Sequence, residues 1–201
     1  MIRVGITGGI GSGKSTICSL FEQLDIRICY TDKMVHVIQH TNLSVISEIK
    51  EVFGDDIYTY DDGVAKLNKK KLASIIFSDK EKLRTIEEII RPRLWEEIQK
   101  IAEEEKEKGQ KYFLIESAIF FETGGNKNID YMIGVTAPLD IRIERACKRD
   151  NATRETIEER INNQMPDDTK MALCDYVIIN DGKRDTQICV NELNDILSNQ
   201  N

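Results

Sequence analysis

Five short apolar runs, separated by stretches in which apolar residues recur every three or four positions, set the rhythm of this chain. Residues 2–6, 26–30, 112–116, 131–135 and 175–179 read as strands. Three of them, Tyr112-Phe113-Leu114-Ile115, Tyr131-Met132-Ile133-Gly134-Val135 and Tyr176-Val177-Ile178-Ile179, are nearly continuous apolar segments. That is the form taken by strands covered on both faces of a parallel sheet. Helical periodicity fills 14–24, 138–149 and 185–198, with Ile17, Leu20, Phe21 and Leu24 on one side of the first helix. Strands alternating with helices predict an α/β fold, a doubly wound parallel sheet of five strands.

The alternation is interrupted once, over residues 31–111, where the periodicity is mostly helical. Ser78-Asp79-Lys80-Glu81 fits a capping box opening a long helix, and Pro92 is expected to kink or restart it. The expected organisation is a core domain of residues 1–30 and 112–201 and an insertion, 31–111, that binds an acceptor. A shorter excursion at 150–172 starts a helix at Asn151-Ala152-Thr153 that runs to Gln164 and is ended by Pro166. It sits where a small phosphate-covering lid would.

Composition narrows the classes. With 201 residues, 40% hydrophobic and 31% charged, the chain suits one α/β domain with an insertion. A net charge of −7 argues against a general nucleic-acid binder, but not against an anionic small substrate, because the field in a pocket depends on local charge. No apolar run approaches the ~20 residues that span a bilayer, and residues 1–10 lack a signal peptide's basic and apolar regions. The five cysteines include no C-x-x-C pair, which disfavours a disulfide framework or zinc site and fits a reducing, cytoplasmic setting. A monomer and a weak homo-oligomer are equally compatible with the pattern.

The first strand runs directly into Gly8-Gly9-Ile10-Gly11-Ser12-Gly13-Lys14-Ser15, a complete G-x-x-x-x-G-K-[ST] phosphate loop. Its glycines let backbone N–H groups converge on phosphate oxygens through conformations that a Cβ disfavours. Lys14 is expected to reach the β/γ-phosphates and the Ser15 hydroxyl to ligate Mg²⁺. The helix that begins near Lys14 aims its positive dipole end at the same anion. Strand, glycine loop and helix together predict binding of a nucleoside triphosphate.

Other candidates follow from position. Asp32, at the carboxyl end of the second strand, reads equally as a base or Mg²⁺ ligand and as an N-cap. Glu116 ends the third apolar run and fits a metal-side carboxylate, a helix cap or a general base. Glu122 is an acceptor-pocket residue or a surface carboxylate. Arg142, Arg145 and Arg149 fall within about 60° of arc on one helix, where guanidinium groups grip phosphates, and Arg154 and Arg160 extend the set into the lid. Arg149 stands at the lid hinge. His36 and His40 have zinc-like spacing without further ligands and read as ordinary helix residues, while the Asp of Asn126-Lys127-Asn128-Ile129-Asp130 is one place too late for a GTPase base-reading motif.

Along nearly its whole length the chain resembles the dephospho-coenzyme A kinase family. The resemblance rests on Gly5-Ile6-Thr7-Gly8-Gly9-Ile10-Gly11-Ser12-Gly13-Lys14-Ser15, on Asp32, Phe53-Gly54 and Asp62-Gly63, and on Arg145, Arg149-Asp150, Arg160, Gln164, Lys170, Asp175 and Asn180 in order. It departs where the family often has Asp-x-Asp, here beginning with Tyr30, and where His-Pro is Arg91-Pro92. The family's Asp-x-Pro-Leu-Leu-Phe-Glu is Glu116-Ser117-Ala118-Ile119-Phe120-Phe121-Glu122 here, with the first carboxylate one methylene longer. The resemblance implies in-line transfer of the ATP γ-phosphate to the ribose 3′-hydroxyl of 3′-dephospho-coenzyme A. Gly11, Ser12, Gly13, Lys14, Ser15 and Thr16 would bind ATP, Asp32 would be the base and Arg149 would stabilise phosphates. Thr7, Asp32, Arg91, Glu122 and Arg145 would contact the acceptor, with Ser15 and Glu116 on the Mg²⁺. The rival readings are another kinase of the nucleoside-monophosphate type and a nucleotide-switched binding protein.

Overall fold

A computed structural model describes residues 1–200, apart from the side chain of Ser78. From the amino end, β1 (Ile2–Thr7) leads into α1 (Lys14–Glu22) and β2 (Ile28–Tyr30). There follow α2 (Thr31–Thr41), α3 (Leu43–Phe53), β3 (Tyr58–Asp61), β4 (Val64–Leu67), α4 (Lys69–Ser78) and α5 (Lys80–Glu107). The chain continues through β5 (Tyr112–Glu116), α6 (Phe120–Thr123), β6 (Tyr131–Thr136), α7 (Leu139–Asp150), α8 (Arg154–Asn162), α9 (Asp167–Ala172), β7 (Tyr176–Ile179) and α10 (Thr186–Ser198). It divides into two compact units: Met1–Tyr30 with the chain from Ala102 onward, and Thr31–Ile101.

In the first unit β2, β5, β1, β6 and β7 lie side by side in that order, all parallel. This is the expected five-stranded α/β sheet. Its centre is apolar because alternate residues feed both faces. Val4, Ile6, Tyr112, Leu114, Ile133, Val135 and Ile178 pack with Ile17 and Phe21 of α1 and with Val190, Leu193 and Leu197 of α10. Phe113 and Ile115, the intervening positions of β5, are fully buried too. Each such side chain contributes about 1.5–3 kcal/mol on burial. The register matters most: Ile6 and Tyr30 both pair with Glu116, which brings the carboxyl ends of β1, β2 and β5 level.

The second unit has a core of its own, built from Ile38 of α2, Val45, Ile46, Ile49 and Phe53 of α3, Leu72 of α4, and Ile86 and Ile90 of α5. It is not wholly helical as the periodicity suggested. β3 and β4 form an antiparallel hairpin, with Ala65 and Leu67 turned inward. Asp62 (φ 49°) and Gly63 (φ 79°) both adopt the left-handed region that a two-residue hairpin turn demands.

At the start of α5, Asp79 Oδ1 accepts from the N–H groups of Glu81 (2.9 Å) and Lys82 (3.1 Å), while the side chain of Ser78, the other capping candidate, lies outside the described residues. One boundary differs from expectation: the helix does not restart at Pro92, which lies inside α5. Ile86, Ile90 and Leu94 keep their spacing across the proline and pack into one core. The carbonyl deprived of a donor belongs to Glu88, an exposed residue that water can reach. Among the described residues no helix is long and apolar enough to cross a membrane.

Candidate active site

β1 delivers the chain to the phosphate loop, and two glycines shape it. Gly11 has φ 75° and Gly13 φ 87°. Space forbids a side chain as firmly as conformation does: a Cβ at Gly11 would lie 2.0 Å from the Arg142 carbonyl oxygen, and one at Gly13 2.0 Å from Asn180 Nδ2. Gly13 caps α1 without a side-chain hydrogen bond, and its carbonyl accepts from the N–H groups of Thr16 (3.0 Å) and Ile17 (3.2 Å), so the positive dipole end of the helix lies at the loop. Ser15 and Thr16 are exposed there.

Lys14 Nζ forms an ion pair with Glu116 Oε1, both side chains being largely buried. The two meet because β5 lies beside β1. Thr7 is fully buried at the end of β1, and its hydroxyl, like that of Ser12, has no hydrogen-bond partner among the described residues.

α7 supports the loop from behind. Arg142 is 4% exposed; its Nε donates to the Ile10 carbonyl at 3.0 Å, and its Nη1 pairs with Asp167 at 2.8 Å. Thr136 hydrogen-bonds the other oxygen of Asp167. Arg142 is therefore a strut of the loop, unlike the phosphate-gripping set predicted for this helix. Arg145 Nη1 donates to the Asn180 carbonyl (2.9 Å), while Asn180 Nδ2 donates to the Ser12 carbonyl (3.0 Å). Gln164 Oε1 accepts the Ile10 N–H at 3.0 Å.

Arg149 forks onto its neighbour Asp150 through Nε (2.6 Å) and Nη2 (2.9 Å), and Arg160 reaches the same carboxylate at 2.6 Å. The guanidinium groups of Arg149 and then Arg160 hold the Asp150 carboxyl far below the usual carboxylate range. Arg154 pairs with Asp140 and Glu158.

Glu122, on α6, is paired with Lys170 at 2.9 Å and accepts the Met165 N–H at 3.3 Å. Burial pushes the Glu122 pKa up, but hydrogen bonds from Lys170 and backbone amides outweigh it and the net shift is down. Lys170, fully buried, also donates to the Ala118 carbonyl at 2.7 Å.

Asp32 and Arg91 belong to the second unit. Asp32 is exposed in the first turn of α2, inside the helix rather than at a cap. Arg91 pairs with Glu87 at 3.0 Å. The rings of His36 and His40 lie 4.1 Å apart, and among the described residues no group of three or more His, Cys, Asp or Glu is placed to hold a metal.

Sequence reasoning assigned no task to Asn180, Gln164, Asp167 or Lys170. Asn180 carries a signal, since it ends an apolar run as Glu116 does. Gln164 carries only its place in the family pattern and Asp167 carries none; folding brings Gln164 to Ile10 and Asp167 to Arg142.

A parallel sheet ordered about a central strand that ends in a glycine cradle, with an ammonium and a carboxylate at its rim, defines a P-loop kinase fold. The family model described as Dephospho-CoA kinase matches residues 2–186, and the chain belongs to that family. A dephospho-CoA kinase of Aquifex aeolicus is 39% identical over 182 residues, 90% of this chain and 90% of that protein. One of Chlorobium luteolum is 35% identical over 179 residues, covering 89% and 82%. A crystal structure from Thermus thermophilus superposes with TM-score 0.79 at 26% identity, over 100% of this chain and 98% of the other. A dephospho-CoA kinase from Campylobacter jejuni shares the fold, with TM-score 0.70 at 23% identity over 98% and 96%.

Proposed function

We propose that this chain transfers the γ-phosphoryl group of ATP to the ribose 3′-hydroxyl of 3′-dephospho-coenzyme A, giving ADP and coenzyme A, the last step of coenzyme A biosynthesis. The observation that carries the reading is the cradle itself. Gly11 and Gly13 adopt left-handed conformations, α1 opens on an uncapped turn, and Lys14 stands against Glu116 at its edge, all within the family-matched residues.

The roles follow from chemistry. Residues Gly11 to Thr16 cradle the phosphates, and Lys14 exchanges Glu116 for the β/γ-phosphate oxygens. The Ser15 hydroxyl, exposed at the helix start, and the Glu116 carboxylate are the groups that would hold Mg²⁺; such an ion takes few protein ligands beside phosphate and water. When bound, Mg²⁺ offsets negative charge on the transferring group. Asp32 accepts the proton of the attacking hydroxyl. Arg149 neutralises phosphate charge at the hinge of residues 150–172, the lid, whose closure excludes water.

The second unit, 31–101, is the acceptor-binding insertion in this reading. A groove of about 430 Å³ in it, lined by Lys33, Met34, Val37, Ile38 and Ile101 among others, supports that assignment. Thr7, Arg91, Glu122 and Arg145 are the further acceptor contacts proposed.

The test is direct. The protein is incubated with Mg-ATP and dephospho-coenzyme A and the product identified by mass, with AMP, CMP and shikimate as competing acceptors. A mass gain of one phosphoryl group on dephospho-coenzyme A alone supports the reading. Preference for a nucleoside monophosphate, or fast ATP turnover that no small acceptor stimulates, overturns it.

A further inference from the structure

Ile10 lies in the middle of the phosphate loop, and its backbone is held from two directions. Its N–H donates to Gln164 Oε1 at 3.0 Å, and its carbonyl accepts from Arg142 Nε at 3.0 Å. Two successive peptide planes are thereby fixed immediately before Gly11, whose φ of 75° reverses the chain within the loop. The two braces differ in kind. Arg142 is buried, and Asp167 holds its guanidinium at 2.8 Å. Gln164 lies between α8 and α9, only partly buried, its own N–H donating to the Ile161 carbonyl at 3.0 Å. One brace belongs to the body of the first unit, the other to the segment that follows α8.

Ordering a loop residue costs backbone entropy, and a glycine-rich loop has more of it to lose than most. A loop already braced gives up less on meeting its ligand, and the difference appears as affinity. We infer that Gln164 is a positioning residue for the nucleotide donor: its amide oxygen pre-orders the phosphate loop through the Ile10 N–H and links the segment behind α8 to nucleotide binding. The inference rests on the reading of the loop as the ATP site. Gln164 touches neither substrate; it acts through the backbone of Ile10.

Two variants test it. Gln164→Met keeps the length of the side chain and loses the acceptor; Gln164→Glu keeps an acceptor. KM for ATP, KM for dephospho-coenzyme A, kcat, the ligand-free Tm and the rise in Tm on adding MgADP are measured for each. Gln164→Met should raise KM for ATP about fivefold to tenfold, because nucleotide binding must then supply the loop ordering that the bond had provided. The MgADP-induced rise should shrink, while KM for the acceptor stays at its wild-type value and the ligand-free Tm falls by no more than the few degrees that one hydrogen bond is worth. Gln164→Glu should bring KM for ATP back to within about twofold of wild type.

An unchanged KM for ATP in Gln164→Met overturns the inference. So does a lowered ligand-free Tm with both KM values raised alike, which marks a prop of the fold, and so does a Gln164→Glu variant as impaired as Gln164→Met. Failure of the wild-type protein to respond to MgADP would instead remove the nucleotide-site reading itself.

Discussion

Lys170 and Glu122 make an unequal pair, and the inequality predicts which partner the fold can spare. The lysine side chain is 1% exposed and the glutamate 27%. Glu122→Ala leaves an ammonium in the interior with the Ala118 carbonyl at 2.7 Å and water largely excluded. Breaking a buried pair costs 3–5 kcal/mol, and partial exposure of the acid puts this case near ~3 kcal/mol. At roughly 2–4 °C per kcal/mol for a chain of this size, Tm should fall by roughly 6–12 °C. Lys170→Met leaves a carboxylate that water reaches and that still accepts the Met165 N–H at 3.3 Å. Loss of the charge-assisted bond to Glu122 and of the bond to the carbonyl of half-buried Ala118, ~2 kcal/mol together, then lowers Tm by roughly 4–8 °C. The double variant should resemble Lys170→Met, because no unpaired buried charge remains. The sign with pH follows from the depressed pKa of Glu122. Its contribution is present above its ordinary value of 4.5 and is lost as pH falls through the depressed one, so the gap between wild type and Glu122→Ala should close below that value. Thermal melts followed by circular dichroism from pH 3 to 8 measure all of this (about 3 being well below ordinary carboxylate values). A larger loss for Lys170→Met than for Glu122→Ala, or strictly additive losses in the double variant, would refute the reasoning.

Three further outcomes are expected. Lys14→Ala should abolish detectable turnover with an unchanged far-ultraviolet spectrum; retained activity would remove the phosphate loop from the chemistry. Asp32→Asn should cut kcat by about 10²–10⁴-fold with little change in ATP affinity. Equal loss of ATP binding, read by titration, would place Asp32 on the metal instead. Gly13→Ala should cost ~1–2 kcal/mol for its left-handed backbone before any clash with Asn180, a Tm drop of roughly 2–8 °C, and should raise KM for ATP.

The sequence by itself determined whatever depends on neighbours along the chain. Three strands of the sheet are legible because each is a nearly uninterrupted apolar run, and the phosphate loop because eight consecutive residues carry it. Asp62-Gly63 between alternating residues also signalled the β3–β4 hairpin locally, but the helical periodicity around it masked the signal. Local rules failed where packing outweighed them. α5 runs through Pro92 because Ile86, Ile90 and Leu94 serve one core on both sides of it. Tertiary structure alone decided the partners: Lys14 with Glu116 across adjacent strands, Lys170 with Glu122, and Arg142 turned from the phosphates to the loop. Gln164 is 154 positions from Ile10, and no pattern in either segment foretells their meeting. A hydrophobic period records which face is buried, whereas a hydrogen bond between distant residues exists only once the sheet order has brought their elements together.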